Sequence, residues 1–320
     1  MTESLPYKTK QFFLVLIKIS LVITAFYYIY EKLNTSYLDL SFLFNRIENH
    51  LISFFLIGLS LLILTSLNWF FDILKWQHLV SSIKHLTLTE VSKQCLASLT
   101  VSIFTPNKIG EYGAKALFFS REYRKQILIL NLISNLTQMS ITLILGVIGL
   151  SFFSLKYSIQ LNFHNHIVGF ILLIMIALLI IITFKRTNYS KFKLIKLDNL
   201  FKHYNTKQRL LRILVLSLIR YLIFSFQFYY LLHLFNVDIY YFDAMVIISS
   251  MYLLSSIIPS IAIFDVAIKG SIAAFLFSYL SISPTIILSI TTIMWIFNFV
   301  LPTLIGSHFV LNYKYPNSTI

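Results

Sequence analysis

The chain has 320 residues, 58% of them hydrophobic and 12% charged, with a mean hydropathy of +0.79. Soluble domains carry roughly a quarter charged residues, so this composition excludes one and indicates an integral membrane protein. The formal net charge of +14 does not point to a nucleic-acid partner, because the bases gather in short loops between apolar runs; the single Cys95 excludes a disulfide framework and a cysteine metal site.

The first apolar run, Phe12 to Tyr30, follows Lys8 and Lys10 as a secretory signal would. It is longer than a signal core and ends in Tyr27-Tyr28-Ile29-Tyr30-Glu31 without a small-residue cleavage site, so an uncleaved span is expected. Runs near 51–71, 127–153, 166–184, 210–235 and 285–310 are also long enough to cross about 30 Å of hydrocarbon, which makes six expected spans. Asp72, Lys75 and Trp76, just past the second run, read as interface anchors and snorkelling charges.

Bases set the direction of these spans. Lys8, Lys10 and Lys18 mark the N-terminal side, Lys75, Lys84 and Lys93 follow the second span, Arg121, Arg124 and Lys125 precede the third, and a basic loop fills 185–209. The opposite loops are poor in base, with Asp238 and Asp243 unaccompanied by any. All the basic segments, and both termini, are therefore expected in the cytoplasm.

Within this frame one polar pattern occurs twice. Ser102-Ile103-Phe104-Thr105-Pro106 is followed by Glu111 and Lys115; Ser255-Ser256-Ile257-Ile258-Pro259 is followed by Asp265 and Lys269. The arm from Val91 to Thr105 would be roughly 22 Å long as a helix, too short to cross, and the segment 90–121 must start and end in the cytoplasm. A re-entrant hairpin turning at Thr105-Pro106-Asn107 is expected, with a second one, over about 244–280, entering from outside and turning at Pro259-Ser260. Ile261 to Leu280 could instead just span the membrane, which would raise the count to eight spanning helices.

The expected fold is thus all-α and polytopic, six spans plus two opposed hairpins in one membrane domain over 1–320. The order span, span, hairpin, span recurs with opposite direction, an inverted-topology repeat with halves at about 8–155 and 164–312. Broken helices at mid-membrane are tolerated where they line a cavity, which is why this architecture is associated with transport.

Pro106-Asn107-Lys108-Ile109-Gly110-Glu111, with Lys115 after it, resembles the Pro-x-(Arg/Lys)-x-Gly-Glu motif of the flippase-like integral membrane proteins, the family of the lysylphosphatidylglycerol synthase transmembrane region. Ile258-Pro259-Ser260-Ile261-Ala262 with Asp265 and Lys269-Gly270 resembles that family's later motif, whose acid is often Glu and whose base is often Arg; no Gly immediately precedes Asp265 here. The resemblance covers most of the chain. It implies a bacterial plasma-membrane protein, and because the chain ends ten residues after the last span, a stand-alone lipid-translocating module without an aminoacyltransferase domain.

The candidate substrate site is Pro106, Lys108, Gly110, Glu111, Lys115, Pro259, Asp265 and Lys269. On a helix each acid lies one turn from its lysine, so each pair can neutralise itself, either only to make a buried hairpin tolerable or to serve transport. The helix after each proline offers free N–H groups and a positive dipole end to an anion such as a phosphate head group, with Lys108, Lys115 and Lys269 adding charge-assisted contacts. Asn131, Asn135, Gln138, Arg220 and Asn298 are candidates to line a polar path, although interhelical hydrogen bonding is as common a use; Arg220 is expected to face Gln227.

His164 and His166 lack a third ligand nearby, and neither metal nor cofactor is expected. No Ser-His-Asp arrangement or Gly-rich phosphate loop occurs, so catalysis is not expected. The expected function is a flippase moving a phospholipid or polyprenyl-phosphate-linked lipid between leaflets by alternating access. A non-catalytic scaffold for a lipid- or glycan-modifying enzyme, and a membrane-embedded head-group enzyme, are the alternatives. The expected partners are anionic or phosphate-bearing membrane lipids and, in the scaffold reading, a lipid-modifying enzyme.

Overall fold

A computed structural model describes residues 51–103, 105, 108–157, 206–258 and 262–313. Among these every regular element is a helix: α1 (Leu51–Val80), α2 (Leu88–Ser102), α3 (Ile109–Leu117), α4 (Arg124–Lys156), α5 (Thr206–Leu234), α6 (Tyr241–Ile257), α7 (Ala262–Ser278) and α8 (Pro284–Leu311). Stretches of α1, α4, α5 and α8 are long and apolar enough to cross a membrane, and they fall on the second, third, fifth and sixth expected spans. The expected spans at 12–30 and 166–184, and the basic loop up to residue 205, lie outside the described residues. The protein is a polytopic helical membrane protein.

Local sequence explains the breaks between helices. Thr87 and Glu90 form a capping box at the start of α2: the Thr87 hydroxyl accepts from the Glu90 N–H at 3.3 Å, and the Glu90 carboxylate accepts from the Thr87 N–H at 2.8 Å. Ile258, which precedes Pro259, is extended (φ −86°, ψ 112°), as the residue before a proline tends to be, and α6 ends there. In α8, Pro302 cannot donate to the carbonyl of Asn298, four residues back, and the helix opens into a π turn over Ile296–Val300. The Asn298 carbonyl accepts instead from the Trp69 indole N–H at 3.2 Å.

α2 and α3 pack together as one helical hairpin, and α6 and α7 as another. At about 1.5 Å per residue α3 is only about 13 Å long, far less than a bilayer core. The hairpins are braced by close backbone approaches. α2 runs antiparallel to α8, with Thr100 Oγ1 donating to the Thr303 carbonyl at 3.0 Å and Gly306 against the Leu96 carbonyl, where a Cβ would collide. α6 runs antiparallel to α4, with Gly149 so close to the Val246 carbonyl that an added Cβ would lie 2.9 Å from it. Small residues at helix crossings are how membrane helices gain van der Waals contact, since lipid tails are as apolar as leucine.

α1 and α5 are also antiparallel, in a register set by Ser60 with Tyr230, Thr65 with Gln227 and Asp72 with Arg220. The packing has an internal correspondence. If α1 is exchanged with α5, α2 with α6, α3 with α7 and α4 with α8, every helix pair in substantial contact maps onto another such pair.

Candidate functional site

The first hairpin closes on Thr105, whose hydroxyl donates to the Ser102 carbonyl at 2.9 Å and accepts the Gly110 N–H at 2.8 Å. A Cβ on Gly110 would lie 2.9 Å from that hydroxyl and 3.1 Å from the Val101 carbonyl, so the closure needs glycine there. Lys108 caps α3 in the left-handed region (φ 57°), a conformation that costs a residue with a Cβ about 1–2 kcal/mol. Such an outlier persists only where the surroundings impose it, and it sets the direction in which the Lys108 side chain leaves the hairpin. Pro106 and Pro259 lie outside the described residues.

Both expected intra-helix pairs form. Lys115 Nζ donates to Glu111 Oε1, and Lys269 Nζ to Asp265 Oδ2, each at 2.6 Å. Their settings differ: the Lys115 side chain is 3% exposed and Lys269 is 31% exposed. Lys115 is held further by Asn131 Oδ1 at 2.9 Å and by the Trp76 ring, whose centroid is 4.3 Å away. Lys108 is exposed, and it interacts electrostatically with Glu111 of its own hairpin, with Asp265 and Lys269 of the other, and with Arg220.

Behind the hairpins lies a charged hub that departs from the expectation for Asp72, Lys75 and Trp76. α1 does not stop near residue 71 but continues to Val80, and Lys75 and Trp76 are each 1% exposed, so neither snorkels to an interface. Asp72 Oδ1 accepts from Lys75 Nζ at 3.1 Å and from Arg220 Nη1 at 2.8 Å. Arg220 Nε also reaches Asn68 Oδ1 at 3.2 Å. Arg220 therefore faces Asp72 and Asn68 instead of Gln227, which bonds Thr65 and Asn298.

The chain Thr65, Gln227, Asn298, Asn68, Arg220 ties α1, α5 and the π turn of α8 into one polar seam. Asn131 is fully buried against Lys115, Asn135 donates to the Tyr112 hydroxyl at 3.0 Å, and Gln138 points to the Ser217 carbonyl at 3.5 Å. Those contacts are interhelical bonds. The sequence reading left Thr65 and Asn68 unused. Thr65, Asn68, Asp72 and Lys75 follow one another at three, four and three residues, a single stripe on an apolar helix, and that spacing was the available signal.

Through Asp72, Lys115 and Lys108 the electrostatic contacts connect both hairpins to the hub. Five bases (Lys75, Lys108, Lys115, Arg220, Lys269) meet three acids (Asp72, Glu111, Asp265), a formal excess of two positive charges. Exposure rises from Lys75 and Lys115 inside to Asp265 (32%), Lys269 and Lys108. Such an arrangement can receive an anion without reversing its charge.

No curated protein and no solved structure matches the chain. A family model described as Lysylphosphatidylglycerol synthase TM region matches residues 15–306, and so takes in both hairpins, the charged hub and all four described spans. The chain belongs to the lysylphosphatidylglycerol synthase transmembrane-region family.

Proposed function

We propose that the protein is a flippase that carries a phospholipid or polyprenyl-phosphate-linked lipid between leaflets of the bacterial inner membrane by alternating access. The observation that carries this reading is that Lys108 of the first hairpin lies within electrostatic reach of Asp265 and Lys269 of the second, in a cluster with excess positive charge; the transport crevice of this proposal lies between them. A phosphate head group entering the crevice meets Lys108 and Lys269 first, at the positive dipole end of α3. Glu111 and Asp265 supply the counter-charge that takes the lysines back when the head group leaves. Lys115, held by Glu111, Asn131 and Trp76, positions Glu111 and does not meet the lipid.

Alternating access rests on two halves of opposed direction, about 8–155 and 164–312, with both termini in the cytoplasm. Support comes from the antiparallel register of α1 with α5, and from the exchange of helices that reproduces the contacts. Each half would then rock about the α1–α5 seam while its hairpin opens or closes the crevice.

The test is leaflet exchange of labelled phospholipids and polyprenyl phosphates in liposomes with purified protein, comparing wild type with Glu111→Gln and Asp265→Asn. Protein-dependent exchange that either variant loses supports the flippase. Absence of exchange with folded protein, or exchange indifferent to both variants, overturns it in favour of a scaffold or accessory subunit. A chemically altered lipid in the products would indicate an enzyme.

A further inference from the structure

A cavity of 530 Å³ lies between the C-terminal end of α1 and the N-terminal end of α5, lined by side chains other than those of the charged hub. Its polarity is graded along the helices. Leu74, Val215 and Leu216 form the part nearer the middle of α1 and α5; His78, His85 and Arg212 form the part nearer their ends. No acid lines it among the described residues, and His78 interacts electrostatically with both Arg209 and Arg212.

The cavity wall is preformed. Arg209, at the start of α5, donates to the His78 carbonyl, to the Leu79 carbonyl at 3.2 Å and to Ser81 Oγ at 2.9 Å, so a cation closes the C-terminus of α1 and fixes α5 against it. Lys84, Lys93, Arg121 and Lys125 belong to the same basic side, the side that the positive-inside rule assigns to the cytoplasm.

We infer that this cavity binds an anionic phospholipid of the cytoplasmic leaflet, at a site separate from the transport crevice. An acyl chain fits the deeper apolar wall of Leu74, Val215 and Leu216. The phosphate lies at the shallower end, against Arg212 and His85. Apolar depth, basic rim and absence of acid together select a lipid with a negative head group over a zwitterionic one. This inference shares the orientation proposed above but not the transport activity.

The test is the unfolding midpoint of the purified full chain in neutral detergent, titrated with phosphatidylglycerol, phosphatidylcholine or soluble glycerol phosphate. Phosphatidylglycerol is expected to raise the midpoint and the other two to leave it nearly unchanged. Arg212→Gln should weaken the phosphatidylglycerol effect about fivefold, the share of one base near an anionic head group. Lys108→Gln, which weakens the transport crevice, should retain the part of the effect that Arg212→Gln weakens. Val215→Trp, which fills the apolar wall without touching charge, should abolish that part; if that variant does not fold, Arg212→Gln alone carries the test.

Equal response to phosphatidylcholine overturns the inference, as does an equal response to glycerol phosphate, which would indicate a soluble anion. Retention in Arg212→Gln, or loss in Lys108→Gln, also overturns it, the latter assigning the lipid to the crevice.

Discussion

Replacing Asp72 by Asn keeps the shape of the hub and removes its only carboxylate. Asp72 Oδ1 serves Lys75 Nζ at 3.1 Å and Arg220 Nη1 at 2.8 Å, and the Lys75 side chain is 2% exposed. Breaking a buried ion pair from one side costs about 3–5 kcal/mol, because the stranded charge keeps its desolvation penalty. The Lys75 share has a ceiling, since a lysine with an ordinary value of about 10.4 can give up its proton at pH 7 for about 4.6 kcal/mol. Arg220 adds less, being partly accessible and still bonded to Asn68.

The expected loss is therefore about 3–5 kcal/mol, read from reversible unfolding of the purified protein in mixed micelles. Asp72→Asn combined with Lys75→Met should recover about 2 kcal/mol or more, because apolar replacement of a buried pair is often neutral. A loss below about 1 kcal/mol in the single variant, or no recovery in the double, would refute the assignment of Asp72 as the hub.

Gly110→Ala should destabilise by about 1–3 kcal/mol through collision with Thr105 and the Val101 carbonyl, while Gly113→Ala, inside the same helix and with nothing within 4 Å, should stabilise by up to about 1 kcal/mol in the same unfolding assay. Equal effects would show that the first hairpin does not close as described. Lys108→Gly should gain about 1 kcal/mol by relieving the left-handed backbone and yet lower lipid exchange in liposomes; unchanged exchange would remove Lys108 from the crevice. The carboxyl of Glu90 is held below its ordinary value by the Thr87 backbone N–H and then by the Thr87 hydroxyl. Its contribution is thus present above the unfolded value and is lost as pH falls through the lower folded one. Glu90→Gln should flatten the acid limb of the unfolding midpoint against pH, and an unaltered limb would contradict the capping box.

Much of the fold was legible in the sequence because its signals are local. A run of about 20 apolar residues spans a bilayer whatever surrounds it, and α1, α4, α5 and α8 appear where such runs occur. The prolines and the acid–lysine spacings likewise marked the hairpins, since a proline ends a helix and residues four apart share a face. Gly110 and Glu111 could be picked out by their motif, but the reason for Gly110, the closure onto Thr105, appears only in the folded hairpin.

The sequence by itself determined the class, the places of the four described spans and the positions of the two paired motifs. Tertiary structure decided which polar residues act together. Asp72 and Lys75 read as interface charges because a hydropathy window sees one helix at a time, whereas Arg220, the second partner of Asp72, is 148 residues away and on another helix. In an apolar medium a charge is tolerated only beside its counter-charge; Asp72 and Glu111 stand one turn from Lys75 and Lys115 on their own helices, but the burial of those pairs and the Arg220 and Asn131 contacts that complete them come only from the packing of other helices.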